Sequence, residues 1–190
     1  IKKFIMENKL KLVKKIINYN FKKISILEKA LTHKSFNNSI NNEKLEFLGD
    51  RVLGLIISER LLEKYPDEKE GIIDKKFSNL VNKKTCSHIA KKINLKKFIL
   101  LGSSHKKLIR SADKITSDCL EAIVGAIYLD GGMKAAEKFI YFFWEEHLLK
   151  SVVTIIDSKT KLQEFSLKKF KELPKYIFSK KIGPQHRPIF

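Results

Sequence analysis

The stretch Asn42-Glu43-Lys44-Leu45-Glu46-Phe47-Leu48-Gly49-Asp50 places three carboxylates at offsets 0, +3 and +7. On a helix turning about 100° per residue they fall within roughly 60° of one another and share a face. From Phe47 the run Phe-Leu-Gly-Asp-Arg-Val-Leu-Gly-Leu-Ile-Ile is apolar nearly all round, which predicts a helix buried inside a domain. A lone carboxylate such as Asp50 in that setting costs several kcal/mol or takes up a proton. Several acids there make sense if a cation neutralises them.

A second stretch supplies the complement. Ser117-Asp118-Cys119-Leu120-Glu121-Ala122-Ile123-Val124-Gly125 again sets two acids, Asp118 and Glu121, three apart among apolar residues. Each helix carries a glycine four residues beyond its last acid, Gly54 after Asp50 and Gly125 after Glu121. Glycine within a helix costs about 1 kcal/mol relative to alanine, so this pair predicts backbones that approach closely and draw the acids together. Converging oxygen donors without Cys or His suit a hard cation, Mg2+ or Mn2+.

The balance of 39 basic against 21 acidic residues in 190 gives +18, the footprint of a polyanion binder. Lysine supplies 35 of the basic residues and arginine only four, a bias that an AT-rich genome also produces without any partner. Cys86 and Cys119 form no disulfide framework and read as small buried hydrophobes of a reducing, cytoplasmic protein. There is no signal-peptide pattern at the front and no apolar run of membrane-spanning length, so no membrane partner is expected. The chain begins without Met and reads as a fragment at its front end.

In order, residues 8–19 and 25–35 are expected as short amphipathic helices, the second opened by a capping box on Ser25 and Glu28. Asn41 or Asn42 is placed to cap the acidic helix, which runs to about Tyr65 before Pro66. One helix is expected over 72–93. The polar loop Gly102–Lys107 lacks the glycine spacing of a nucleotide cradle. The second acidic helix ends at Gly131-Gly132, and a last helix over 133–150 carries Phe139, Phe142, Phe143 and Trp144 as core. His33 reads as a hydrogen-bonded structural histidine. A boundary falls at Val152–Ser158, followed by a helix from Thr160 and a strand pattern over Pro174–Ile182.

Glu43-Lys44-Leu45-Glu46-Phe47-Leu48-Gly49-Asp50 resembles the signature of ribonuclease III, a double-strand-specific endoribonuclease family. Leu31-Thr32-His33-Lys34-Ser35 upstream and Asp118-Cys119-Leu120-Glu121-Ala122 downstream resemble its other two blocks, in the same order. Residues 157–190, with Gly183-Pro184-Gln185-His186, resemble the front half of a double-stranded-RNA-binding domain, with Leu167 where that family has Gln. The resemblance implies an all-α catalytic domain over 1–153 and an incomplete α+β RNA-binding domain over 157–190. It implies Mg2+ held by Glu46, Asp50, Asp118 and Glu121, with Glu43 and Glu70 in support. It further implies a homodimer with Phe47 at the interface, and RNA contacts from Thr160, Gln163, Glu164 and His186. Cleavage of double-stranded RNA to 5′-phosphate and 3′-hydroxyl ends follows from it, ribosomal RNA precursors included. Two other classes compete. A di-iron carboxylate bundle needs Glu-x-x-His pairs, which these helices lack. A catalytically silent RNA-binding or assembly protein of the same family would have lost one of the four acids, and all four are present.

Overall fold

The computed structural model describes residues 2–103, 112–151 and 158–177. The chain divides into two compact units, Ile1–Thr154 and Ile155–Phe190. The first is built from α1 (Lys2–Ile17), α2 (Ile24–Ala30), α3 (Glu43–Lys64), α4 (Glu70–Val81), α5 (Lys83–Lys92), α6 (Ala112–Gly131) and α7 (Met133–Lys150), with a 3-10 turn at Leu95–Lys97. The second contains α8 (Ser158–Phe170). Among the described residues there is no strand, only an isolated parallel bridge between Thr32 and Leu100. The first unit is thus all-helical. The strand expected over 174–182 is described only as far as Ile177, without regular structure, and the rest of the α+β pattern lies outside the described residues.

Helix α6 is the axis of the first unit. Every residue from Ile115 to Ile127 is buried, including Asp118 and Glu121. Helix α3 was expected to be the fully buried one. It buries Leu45, Gly49, Val52, Leu53, Ile56, Ile57 and Leu61, the stripe that packs on the core. Its opposite stripe, Phe47, Leu55 and Leu62, is exposed, with no described element of the first unit over it. An apolar composition all round a helix does not reveal which side its own chain fills.

Helix boundaries follow local chemistry with two departures. The helix expected over 72–93 is two, broken at Asn82, whose extended backbone ends α4 while its side chain accepts from the Thr85 N–H at 2.9 Å and starts α5. Of the two asparagines placed to cap α3, Asn41 does so as expected, its Oδ1 accepting the Glu43 N–H at 3.1 Å. The capping box on Ser25 does not form: Lys23 is the N-cap of α2 and makes no side-chain cap bond. The Lys22 and Lys23 N–H groups donate instead to Asp130 at the far end of α6, at 2.8 and 2.9 Å, and the Tyr19 hydroxyl joins them at 2.9 Å. That carboxylate ties the α1–α2 connection to α6, and α2 begins at Ile24, which puts Ser25 inside the first turn rather than at the cap.

Helix α7 closes the core. Trp144 is fully buried and donates its indole N–H to the Leu80 carbonyl at 2.9 Å, joining α7 to the last turn of α4. Phe139 is buried as expected, but Phe142 is 64% exposed and is not core. In the second unit, the Ser166 hydroxyl donates to the Glu172 carbonyl at 2.7 Å, beyond a left-handed Lys171 that ends α8.

The contact between α3 and α6 is a contact of backbones. A Cβ built on Gly49 would overlap the Glu121 carbonyl, and one on Gly125 would overlap the Leu45 carbonyl. The sequence reading paired Gly125 with Gly54. Gly54 instead faces the Phe77 ring, where a Cβ would sit at an ordinary 3.5 Å. Gly49→Ala should therefore lower stability by about 2–3 kcal/mol or more, since the two main chains must separate. Gly54→Ala should be neutral or stabilising by up to about 1 kcal/mol through helix propensity. Urea unfolding of both variants checks this, and equal effects would contradict it.

Candidate metal centre

The Gly49–Gly125 approach sets the acid-bearing turns of α3 and α6 side by side. Carboxylate oxygens of Glu46, Asp118 and Glu121 all lie within 4.8 Å of one another. Asp118 and Glu121 are 8% and 6% exposed, so water does little to screen their repulsion. Burial first, then Asp118, Asp50 and Glu46, push the Glu121 carboxyl up to about 7. Burial and Asp118 also hold Glu46 above the usual carboxylate range.

The cleft over these acids measures about 620 Å3 and is lined by Glu43, Glu46, Phe47, Asp50, Arg51, Val81, Asn82, Lys83 and Glu121. The Lys83 ammonium stands 3.7 Å from Asp118 Oδ1, an ion pair too long for a hydrogen bond. That buried Oδ1 accepts no hydrogen bond among the described residues. A buried carboxylate oxygen without a donor, beside two further carboxylates, is what a cation site presents before the cation enters. The donors are all oxygens, which fits a hard divalent ion. Cys86 adds no thiolate ligand: burial and the adjacent Glu121 and Asp50 raise its pKa far above the ordinary thiol range. Cys119 is turned away, with its thiol toward the Ala30 carbonyl at 3.5 Å.

The remaining sequence-expected residues fall in different places. Asp50 lines the cleft but its side chain is 52% exposed and paired with Arg51 at 3.0 Å. The burial argument made from the apolar run belongs to Asp118 and Glu121 instead, because Asp50 opens onto the cleft. Glu43 also lines the cleft and is held below the usual carboxylate range by the Lys34 ammonium, 2.8 Å away. Glu70 is exposed in the first turn of α4 and is not among the cleft-lining residues. Phe47 stands at the edge of the cleft, 62% exposed, with the Arg51 guanidinium 3.8 Å over its ring. His33 Nδ1 is 2.8 Å from the Ser35 hydroxyl, which also accepts from the Gly102 N–H at 3.1 Å. This anchors the block beside the site to the segment that follows Leu100. Gln163 and Glu164 lie on α8, as does the backbone of Thr160, and His186 is outside the described residues.

Sequence reasoning missed Asn82 and Lys83. The signal was there: Asn82 precedes Lys83-Lys84-Thr85, and an N-cap asparagine marks a new helix start. The break swings the first turn of α5 over the acids and brings the Lys83 ammonium to Asp118.

Glu121 binds its proton more tightly in the folded chain than its ordinary value of 4.5 would give. The stability this confers is full below about pH 4.5 and is lost as pH rises through about 7, a change of the order of 3 kcal/mol. With a chelator present, the melting temperature should fall from pH 5 to pH 8, and by less in Glu121→Gln. Adding a divalent cation should restore the wild-type loss at pH 8. Parallel profiles for wild type and variant would contradict this.

Comparisons with known proteins bear on the family. The Ribonuclease-III-like family model matches residues 23–151. Ribonuclease 3 of Pelagibacter ubique (strain HTCC1062) is 58% identical over 184 residues, spanning 96% of this chain and 82% of that protein. The nuclease domain of ribonuclease III from Campylobacter jejuni, a structure described for flexibility in a region involved in dimer formation, superposes with a TM-score of 0.69 at 40% identity. It covers 74% of this chain and 97% of its own. Dicer from Giardia intestinalis aligns with a TM-score of 0.61 at 25% identity, over 80% of this chain and 20% of that one. Family match, sequence identity and helical architecture converge on one assignment: the chain belongs to the ribonuclease III family.

Proposed function

We propose that this ribonuclease III-family enzyme hydrolyses phosphodiester bonds in double-stranded RNA, with Mg2+ held by Glu46, Asp118 and Glu121 and by Asp50 across the same cleft. The observation that carries the reading is the convergence of the Glu46, Asp118 and Glu121 carboxylates, with a buried Asp118 oxygen that accepts no hydrogen bond among the described residues. A divalent ion bound there would activate a water and neutralise charge developing on the phosphate. The protein's own groups do the positioning. Glu121, with a pKa near neutrality, exchanges its proton for the cation at working pH. Lys83, 63% exposed beside Asp118, offers a positive charge at the cleft edge where a phosphate enters. Glu43, tied to Lys34, supports the site from the solvent side. Glu70, away from the cleft within this chain, takes the supporting part implied for it only if a second copy brings it near.

The products carry 5′-phosphate and 3′-hydroxyl ends, and duplexes in ribosomal RNA precursors are among the substrates. Two such sites cut the two strands if the chain pairs with a second copy. The exposed stripe of Phe47, Leu55 and Leu62 is the surface for that pairing, since positions 47, 55 and 62 fall within roughly 80° on a helix. Thr160, Gln163, Glu164 and His186 supply duplex contacts from an RNA-binding module over residues 157–190.

Glu121→Gln keeps the shape and removes a ligand charge. Cleavage of a long RNA duplex in Mg2+ should be lost while duplex binding is retained, and near-wild-type cleavage would remove Glu121 from the site. End-labelling of the wild-type products should find 5′-phosphates, and 5′-hydroxyl ends would overturn the proposed bond scission. Phe47→Ala should weaken self-association by about 3–5 kcal/mol in sedimentation if the ring fills a partner's socket. An unchanged oligomeric state would exclude that interface.

A further inference from the structure

Away from the acidic cleft, α5 and α7 each present a histidine to the other. His88 Nδ1 and His147 Nε2 are 3.3 Å apart, and the ring centres are 5.2 Å apart with planes at 83°. Two imidazole nitrogens bound at about 2.05 Å to one tetrahedral Zn2+ stand about 3.3 Å apart, with ring centres about 5.2 Å apart. A straight hydrogen bond of the same nitrogen separation would carry the ring centres to about 5.6 Å. The observed ring-centre distance is shorter than that and equals the value for a shared ion.

We propose that His88 and His147 form a second metal site, a two-imidazole chelate for a borderline transition-metal ion such as Zn2+, bridging α5 to the last turn of α7. Imidazole selects Zn2+, Ni2+ or Cu2+, whereas the all-oxygen donors of the acidic cleft favour Mg2+, so one chain discriminates two classes of cation. His88 is exposed and His147 half-buried, which gives an ion a path from solvent and leaves room for water at the open positions. Burial, then the neighbouring His88, keeps the His147 imidazole below its ordinary range. In the hydrogen-bonded pair one facing nitrogen carries the proton. Binding moves that proton to the far nitrogen of the same ring, so both facing lone pairs meet the ion and no net charge is lost. A second tie already holds the two helices in register: Lys92 of α5 pairs with Glu146 of α7 at 3.0 Å, and Lys150 holds the same carboxylate at 2.7 Å.

The test titrates Zn2+ into the full chain in excess Mg2+, by calorimetry and by 15N shifts of the histidine rings. We expect one Zn2+ per chain that moves the His88 Nδ1 and His147 Nε2 resonances, is weakened about tenfold or more by His88→Gln or His147→Gln, and is unaffected by Glu121→Gln. Circular dichroism of the histidine variants, expected unchanged at an exposed pair, separates lost ligation from lost fold. Zn2+ binding that disappears with Glu121→Gln and survives both histidine variants would overturn the site. So would the absence of any shift at the two nitrogens, which would leave a hydrogen-bonded histidine pair only.

Discussion

Two helices whose main chains touch hold this structure to its purpose. At Gly49 and Gly125 there is no side chain between α3 and α6, and neither position has room for one. The approach fixes Glu46 within reach of Asp118 and Glu121, because Glu46 lies three residues before Gly49 and Glu121 four before Gly125 on their respective helices. Everything else in the first unit keeps that contact in place. Helix α6 is buried from Ile115 to Ile127, α7 seals it with Trp144, and Asp130 at its far end fastens the α1–α2 connection.

That packing has an electrostatic cost. Two buried acids and a half-buried one face each other, with the Lys83 ammonium 3.7 Å from Asp118 as a counter-charge. The protein lowers the cost by keeping a proton on Glu121 near neutrality, and a divalent ion would offset the repulsion in its place. The proposed function ties to stability through the same tension: the arrangement that weakens the cation-free fold as pH rises is the one suited to a cation at that pH.

Much of the site was legible in the sequence because the relevant physics is local. Offsets of three and seven on a helix put acids on one face whatever the rest of the chain does, and the three ordered blocks carried the family. What was not legible depended on contacts far apart in sequence. Which glycine of α3 meets Gly125 is set by where the helices cross, and spacing from the last acid pointed to Gly54 rather than Gly49. Asp50 looked buried from its neighbours, yet it opens onto the cleft and is half-exposed. Ser25 looked like a cap, but α2 begins one residue earlier, at Ile24, just after N–H groups that Asp130, more than a hundred residues away, holds. Lys83 entered the cleft only because Asn82 breaks a helix that periodicity alone would continue.

The central claim is that the α3–α6 contact builds a cation site from Glu46, Asp118 and Glu121. Anomalous diffraction from crystals of the chain soaked in Mn2+ addresses it directly. The account predicts a peak about 2.0–2.2 Å from carboxylate oxygens of all three residues, with Lys83 displaced from Asp118. Manganese bound only at the solvent-facing pair Glu43 and Asp50, with Lys83 still beside Asp118, would contradict it.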